Sequence, residues 1–155
     1  MSKLIIGKAA PKISLPSTAG SIWKSSHLNG KSLVVYFYPR DNTPGCTTET
    51  AAFRDYYNKF KKANTEVVGI SADSLESHAK FKTKLNTPFE LLSDTDHEVC
   101  NLFEVYKETS LYGKKFMGIE RSTFLIDSAG KLRYEWRKVK VTGHVEIVLA
   151  EALKL

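Results

Sequence analysis

The order of apolar and polar positions along the chain predicts a sheet with helices packed on it. Leu33-Val34-Val35-Tyr36-Phe37-Tyr38 is a continuous apolar and aromatic run, the pattern of a strand buried on both faces, and Pro39 ends it. Val67-Val68-Gly69-Ile70 predicts a second buried strand. Between them Phe53, Tyr56, Tyr57 and Phe60 recur at i, i+3, i+4 and i+7. That stripe predicts a helix from Cys46 to about Phe60.

Asp73, with Glu76 three residues later, predicts a capped helix running to about Leu85. Pro88 precedes a short strand, Phe89-Glu90-Leu91-Leu92, and Thr95 with Glu98 predicts a short capped helix reaching Phe103. Residues 106–120 have no clear period and read as irregular chain or a small hairpin. Ser122-Thr123-Phe124-Leu125-Ile126 predicts a strand and Asp127-Ser128-Ala129-Gly130 a turn. Leu132, Tyr134 and Trp136 then alternate with Arg133, Glu135 and Arg137, as in a half-buried strand. Thr142 is placed to cap a last helix with Val145, Val148, Leu149, Ala152 and Leu153 on one face.

Near the other end, Ile13-Ser14-Leu15 and Ile22-Trp23 flank Pro16-Ser17-Thr18-Ala19-Gly20, an N-terminal hairpin. The sum is a hairpin, then βαβαβ, a short helix, two strands and a closing helix. That order implies an α/β sheet with helices on both faces. In such a sheet, active groups lie where a central strand hands over to its helix, at the strand's carboxyl end. Cys46 stands at that place.

Length adds one expectation. A chain of 155 residues is long enough to bury a real core, and residues 1–155 read as one domain. No apolar run approaches the roughly 20 residues a membrane helix needs. The segment Met1-Ser2-Lys3-Leu4-Ile5-Ile6-Gly7-Lys8 is too short and too soon polar for a secretory signal. A cytoplasmic protein without membrane partners is expected.

The net charge of +6 raises the question of nucleic acid. Lys59, Lys61, Lys62, Lys80, Lys82, Lys84, Lys114 and Lys115 sit mostly in helical or loop patterns, and no nucleic-acid motif accompanies them. They read as solvated faces, and no nucleic-acid partner is expected. Two cysteines, Cys46 and Cys100, cannot make a disulfide scaffold. Without a CxxC pair there is neither a thioredoxin-type dithiol nor a zinc knuckle.

The chemistry concentrates in Pro39-Arg40-Asp41-Asn42-Thr43-Pro44-Gly45-Cys46-Thr47-Thr48-Glu49. This segment leaves a strand and delivers a cysteine to the start of a helix, where free N–H groups and the macrodipole favour an anion. An ordinary thiol, with pKa ~8.5, is only about 3% thiolate at pH 7. Complete ionisation raises that fraction about thirtyfold, or ~2 kcal/mol. A fast reaction needs more, from holding the second reactant in line and stabilising charge in the transition state. Thr43 offers a hydroxyl that both accepts and donates, able to meet the thiolate and an incoming oxygen. Pro39 and Pro44 fix the loop and leave few competing N–H donors.

Other side chains give weaker readings. His27, His78, His97 and His144 raise a Cys-His hydrolase, but no dyad can be placed from sequence. Asp94, Asp96, His97 and Glu98 suggest a metal site, which the cap formed by Thr95 and Glu98 explains more simply. Trp23 and Trp136 read as core or sheet-face residues rather than a binding platform.

Pro39-x-x-x-Thr43-x-x-Cys46 matches the peroxiredoxin motif, and Asp41-Asn42-Thr43-Pro44-Gly45-Cys46-Thr47-Thr48-Glu49 resembles the branch named for bacterioferritin comigratory protein, also called the Q branch. The resemblance continues in Val68-Gly69-Ile70-Ser71-Ala72-Asp73, Leu91-Leu92-Ser93-Asp94, Gly118-Ile119-Glu120-Arg121-Ser122-Thr123-Phe124-Leu125-Ile126-Asp127 and Gly130-Lys131. It implies a thioredoxin-like fold, here with the N-terminal β-hairpin as an extension, and a thiol peroxidase acting on hydrogen peroxide and organic hydroperoxides. The peroxide-attacking cysteine maps to Cys46, the active-site threonine to Thr43, the shielding proline to Pro39 and the arginine to Arg121. Arg121 and Thr123 would share a strand face, with Phe124 and Ile126 pointing away. The N–H groups of Gly45 and Cys46 would help cradle the peroxide. In the implied reaction Cys46 becomes a sulfenic acid and a second thiol reduces it, with no metal or other cofactor.

Many members of the branch carry a resolving cysteine five residues after the attacking one, and here that position is Ala51. Others carry it in the next helix, which here has none. The resemblance therefore implies a one-cysteine form that depends on an external thiol, such as thioredoxin, glutaredoxin or glutathione. A monomer or weak dimer is expected. Cys100 reads as a small buried residue beside Val99 and Phe103, with a resolving role as the alternative. A redox-sensing or chaperone-like protein that uses Cys46 oxidation as a signal is the rival function.

Overall fold

Every residue of Ser32–Phe37, the strand β3 of the computed structural model, is buried. The structure describes residues 4–155; residues 1–3, where the N-terminal segment read above begins, lie outside the described residues. Ahead of β3, β1 (Ser14–Pro16) and β2 (Ile22–Lys24) form the expected antiparallel hairpin. After it come α1 (Pro44–Lys62), β4 (Thr65–Ser71), α2 (Leu75–Leu85), β5 (Leu91–Ser93) and α3 (Glu98–Leu102). The chain closes with β6 (Tyr106–Leu111), β7 (Lys114–Ile119), β8 (Ser122–Ile126), β9 (Leu132–Trp136) and α4 (His144–Ala152). Residues 106–120 are thus the small hairpin, β6 against β7, rather than irregular chain.

The central sheet runs β5-β4-β3-β8-β9. β4 is parallel to β3 and to β5, while β8 is antiparallel to β3 and β9. This is the thioredoxin-like α/β arrangement. Alternation along β3 builds two cores. Val34, Tyr36 and Tyr38 pack with Phe53 of α1, Phe81 of α2 and Val145 and Val148 of α4. Leu33, Val35 and Phe37 face the other way, into a layer with Ile13, Leu15, Val99, Cys100 and Phe103. Helices lie on both faces as expected, but unequally: three share one face and short α3 covers the other.

Close packing between β3 and β4 depends on one glycine. Gly69 lies opposite Tyr36 in the parallel register, and a Cβ there would sit 2.6 Å from Tyr36 Cζ. Tyr36 in turn stacks on Phe53, with ring centroids 4.5 Å apart, which ties β3 to α1.

Helix starts differ from the expected ones for local reasons. α1 begins at Pro44, two residues before Cys46, because proline suits the first helical position. Asp73 does not cap α2. The Ser74 hydroxyl accepts from Ser77 N–H at 3.1 Å, and the Asp73 carboxylate turns to the loop after β3. Thr95 is exposed and does not cap α3; the Asp94 carboxylate accepts from the Val99 and Cys100 N–H groups instead. At α4 the cap is Gly143, at φ 74°, not Thr142. Val145, Val148, Leu149 and Ala152 are buried, but Leu153 is 63% exposed and outside the stripe. The strand expected from Phe89 begins at Leu91.

Candidate active site

Cys46 is the third residue of α1, just past the carboxyl end of β3, and is fully buried. Thr43 precedes the helix in extended conformation, and its carbonyl accepts the first helical bond, from Thr47 N–H at 2.9 Å. The N–H groups of Gly45 and Cys46 therefore fall in the first turn, where a helix has no internal acceptors.

Arg121 immediately precedes β8 and joins two α1 side chains. Its Nη2 donates to Cys46 Sγ at 3.2 Å and its Nη1 donates to Glu49 Oε1 at 2.7 Å. Cys46 and Glu49 are three residues apart, so both project from the same face of the helix. Burial works against the Arg121 charge, but the charges and hydrogen bonds of Glu49 and Cys46 raise its pKa further. Glu49 is fully buried, and Oε2 has no hydrogen-bond partner among the described residues. Burial pushes its pKa up to about 7, with the charge and hydrogen bond of Arg121 offsetting only part of the cost.

Gly45 makes room for this contact, since a Cβ on it would stand 3.1 Å from Arg121 Nη2. Behind Arg121, Thr123 and Leu125 share its strand face, while Phe124 and Ile126 pack in the opposite core, as the alternation required. Thr123 Oγ1 lies 2.8 Å from His144 Nε2. Burial, and then the Arg121 charge, lower His144 to a pKa of about 4, so its ring is neutral near pH 7.

Pro39 is exposed beside the site and Thr43 is half-buried. The Thr43 hydroxyl donates to the Arg40 carbonyl at 2.9 Å rather than to Cys46, which leaves its lone pairs free to accept. Asp41 is buried in the same loop, and its N–H donates to Asp73 Oδ2 at 2.8 Å.

Cys100 is fully buried in the layer on the far side of the sheet from Cys46. Burial, then the hydrogen bond and charge of Asp94, drive its pKa well up and keep it a neutral thiol. Of the Asp94–Glu98 cluster, Asp94 is committed to the start of α3, as described above. The fold does bring Asp41, Asp73 and His78 together, with ligand-type atoms within 4.8 Å of one another. Those atoms are occupied by hydrogen bonds within the protein. Sγ of Cys46 meets an arginine, not a histidine, so the hydrolase reading has no dyad.

Sequence reasoning missed Glu49, Asp41 and His144. Glu49 carried a usable signal, standing one helical turn after Cys46 inside the motif. His144 carried none, because only the folded chain brings α4 against β8.

A buried thiol at a helix start, bridged by a guanidinium to a buried carboxylate, is built for nucleophilic thiol chemistry. Known proteins agree. The AhpC/TSA family model matches residues 6–135. Peroxiredoxin Bcp of Bacillus subtilis is 50% identical over 149 residues, covering 96% of this chain and 92% of that one. Among solved structures, the bacterioferritin comigratory protein of Xanthomonas campestris, studied for alkyl peroxide reduction, superposes with a TM-score of 0.88 at 41% identity, covering 98% of this chain and 97% of that one. A PrxQ mutant of Xylella fastidiosa gives 0.91 at 39% identity, covering 97% and 96%. The chain belongs to the AhpC/TSA family and, within it, to the peroxiredoxins of the bacterioferritin comigratory protein branch. It is a thiol-dependent peroxidase, which takes a hydroperoxide and a thiol reductant. No helix among the described residues is long and apolar enough to cross a membrane.

Proposed function

We propose that Cys46 is the peroxide-attacking thiol and that the enzyme works with this one cysteine, reset by an external thiol. The Cys46 thiolate attacks the terminal oxygen of a hydroperoxide. An S–O bond forms, the O–O bond breaks, and the leaving alkoxide or hydroxide takes a proton to become alcohol or water. Sulfur loses two electrons and becomes the sulfenic acid. One reductant thiol condenses with it, releasing water, and a second thiol frees Cys46 as a disulfide departs. Arg121 holds negative charge at sulfur and oxygen, Thr43 accepts from the peroxide hydroxyl, and Pro39 shields the site. The N–H groups of Gly45 and Cys46 complete the cradle.

The observation that carries this reading is the Arg121 bridge to Cys46 and Glu49. The single-cysteine cycle is supported by the position of Cys100 behind the sheet and by Ala51 in α1. The test is stopped-flow peroxide consumption with thioredoxin and glutathione systems side by side, and mass analysis after one equivalent of peroxide. Sustained turnover with an external thiol, loss of activity in Cys46→Ser and no Cys46–Cys100 disulfide are expected. One oxidation without turnover would point to a sensor. An intramolecular disulfide formed at the rate of turnover would make Cys100 the resolving thiol.

A further inference from the structure

The loop between β3 and α1 is held by a buried aspartate–histidine pair that the reaction itself does not use. Pro39, Arg40, Asn42 and Pro44 are exposed and Thr43 and Gly45 are half-buried, whereas Asp41 is 5% exposed. Its carboxylate accepts from the Tyr38 hydroxyl at 2.7 Å and the Ser77 hydroxyl at 2.7 Å, and Oδ2 lies 2.8 Å from His78 Nδ1. His78 is fully buried in α2, and its Nε2 lies 2.9 Å from the Leu92 carbonyl of β5.

A carbonyl can only accept, so Nε2 carries a hydrogen. Burial works against ionisation of Asp41, but the hydrogen bond and charge of His78, with the Tyr38 and Ser77 hydroxyls, hold its pKa below the ordinary value. The unit is a carboxylate 2.8 Å from a histidine ring, with the side chains 1% and 0% exposed.

Such a pair adds little net stability, because desolvation offsets the attraction between its members. Its effect is on conformation, since releasing either partner strands a buried polar group. The conformation it guards is that of one peptide plane. The Arg40–Asp41 peptide donates its N–H to Asp73 Oδ2 at 2.8 Å. The carbonyl of the same peptide accepts the Thr43 hydroxyl at 2.9 Å. Because a peptide unit is rigid and planar, turning one group turns the other. Asp73 is itself held by the Ser71 hydroxyl at 2.6 Å.

We propose that Asp41 and His78 are positioning residues for peroxide attack, acting by locking the Arg40–Asp41 peptide plane and so the direction of the Thr43 hydroxyl. The assignment rests on the reading of Cys46 and Thr43 given under Proposed function. It extends the site to α2 and β5.

Two reactions of Cys46 separate this role from simple loosening. Oxidation by hydrogen peroxide needs the thiolate and an aligned peroxide; alkylation by iodoacetamide needs only an accessible thiolate. Both second-order rate constants are measured on the parent, His78→Leu, Thr43→Val and the double variant. His78→Gln, which keeps a side-chain donor, serves if His78→Leu does not fold. The ratio of oxidation to alkylation is expected to fall at least tenfold in the His78 variants. Adding His78→Leu to Thr43→Val is expected to lower the ratio less than twofold more. An unchanged ratio in the His78 variants, or full additivity with Thr43→Val, overturns the proposal. A parent whose Cys46 does not react with peroxide would overturn the functional reading instead, and so the two failures are distinct.

Discussion

Gly45 lies against the guanidinium of Arg121, so close that a methyl group on it would stand 3.1 Å from Nη2. Alanine is the better helix former by about 1 kcal/mol in a helix interior, with less at stake in the first turn. Gly45→Ala is therefore expected to leave the melting temperature unchanged or slightly raised. The same methyl forces the guanidinium to give by a few tenths of an ångström where it meets the thiol, and the rate of peroxide attack is expected to drop several-fold. Thermal melting and stopped-flow oxidation of one preparation check both halves. Lower stability with unchanged rate would contradict the packing argument.

Arg121 spans Cys46 and Glu49 with two nitrogens of one rigid plane. Lysine keeps the charge but lacks the planar fork that puts a separate nitrogen on each group. Arg121→Lys is expected to slow Cys46 oxidation at least tenfold, and Arg121→Ala by a further several-fold, read from single-turnover kinetics. A lysine variant at the parental rate would reduce the role of Arg121 to charge alone.

Glu49 and His144 give stability opposite pH slopes. The folded chain holds the Glu49 proton up to a pKa of about 7 against an ordinary 4.5. That contribution is whole below about 4.5 and is lost as pH rises through about 7. His144 is the reverse: the folded chain refuses a proton until about 4, against an ordinary 6.5. Its contribution is whole above about 6.5 and is lost as pH falls through about 4. Between these limits each group contributes a slope of up to about 1.4 kcal/mol per pH unit, and they oppose each other. Glu49→Gln is expected to make urea stability climb more steeply from pH 4.5 to 6.5, and His144→Gln to make it fall. Parallel curves for the parent and both variants would refute the assignment.

Gly69→Ala is expected to destabilise the fold by about 1–3 kcal/mol, the usual range for overpacking a core. The added carbon would meet the Tyr36 ring 2.6 Å away and Leu91 Cδ2 at 3.0 Å. Chemical denaturation measures the loss. Shortening the ring contact with Tyr36→Phe removes only the hydroxyl and should not restore it, because Cζ remains.

Cys100→Ala is expected to keep peroxidase turnover within twofold while lowering stability by about 1 kcal/mol, the effect of a small vacancy in a packed layer. Steady-state turnover with the best external thiol checks it.

The sequence made the sheet legible because β3 and β4 are apolar on both faces and α1 carries its stripe at helical spacing. A short motif and a strand register singled out Cys46, Thr43, Pro39 and Arg121, and the structure brings Arg121 onto Cys46. The caps were misread for one reason. Asp73, Thr95 and Thr142 were suitable neighbours by spacing, but the Ser74 and Asp94 side chains reach the free N–H groups and Gly143 takes the positive φ before α4. Spacing finds residues near a helix start, and local geometry chooses among them. Asp41 and His78 were out of reach, since 36 residues separate a loop from a helix that meet only after β4 is laid down.

The sheet that separates Cys46 from Cys100 bears, in the proposed one-cysteine cycle, on how the enzyme would wear out. In that cycle an oxidised Cys46 waits for a reductant to diffuse in, and meanwhile a second peroxide can carry it to the sulfinic acid, which ordinary thiols do not reverse. Its working lifetime would then follow the ratio of two concentrations outside the protein, thiol over peroxide. Growth in thiol or scarcity of oxidant would prolong it.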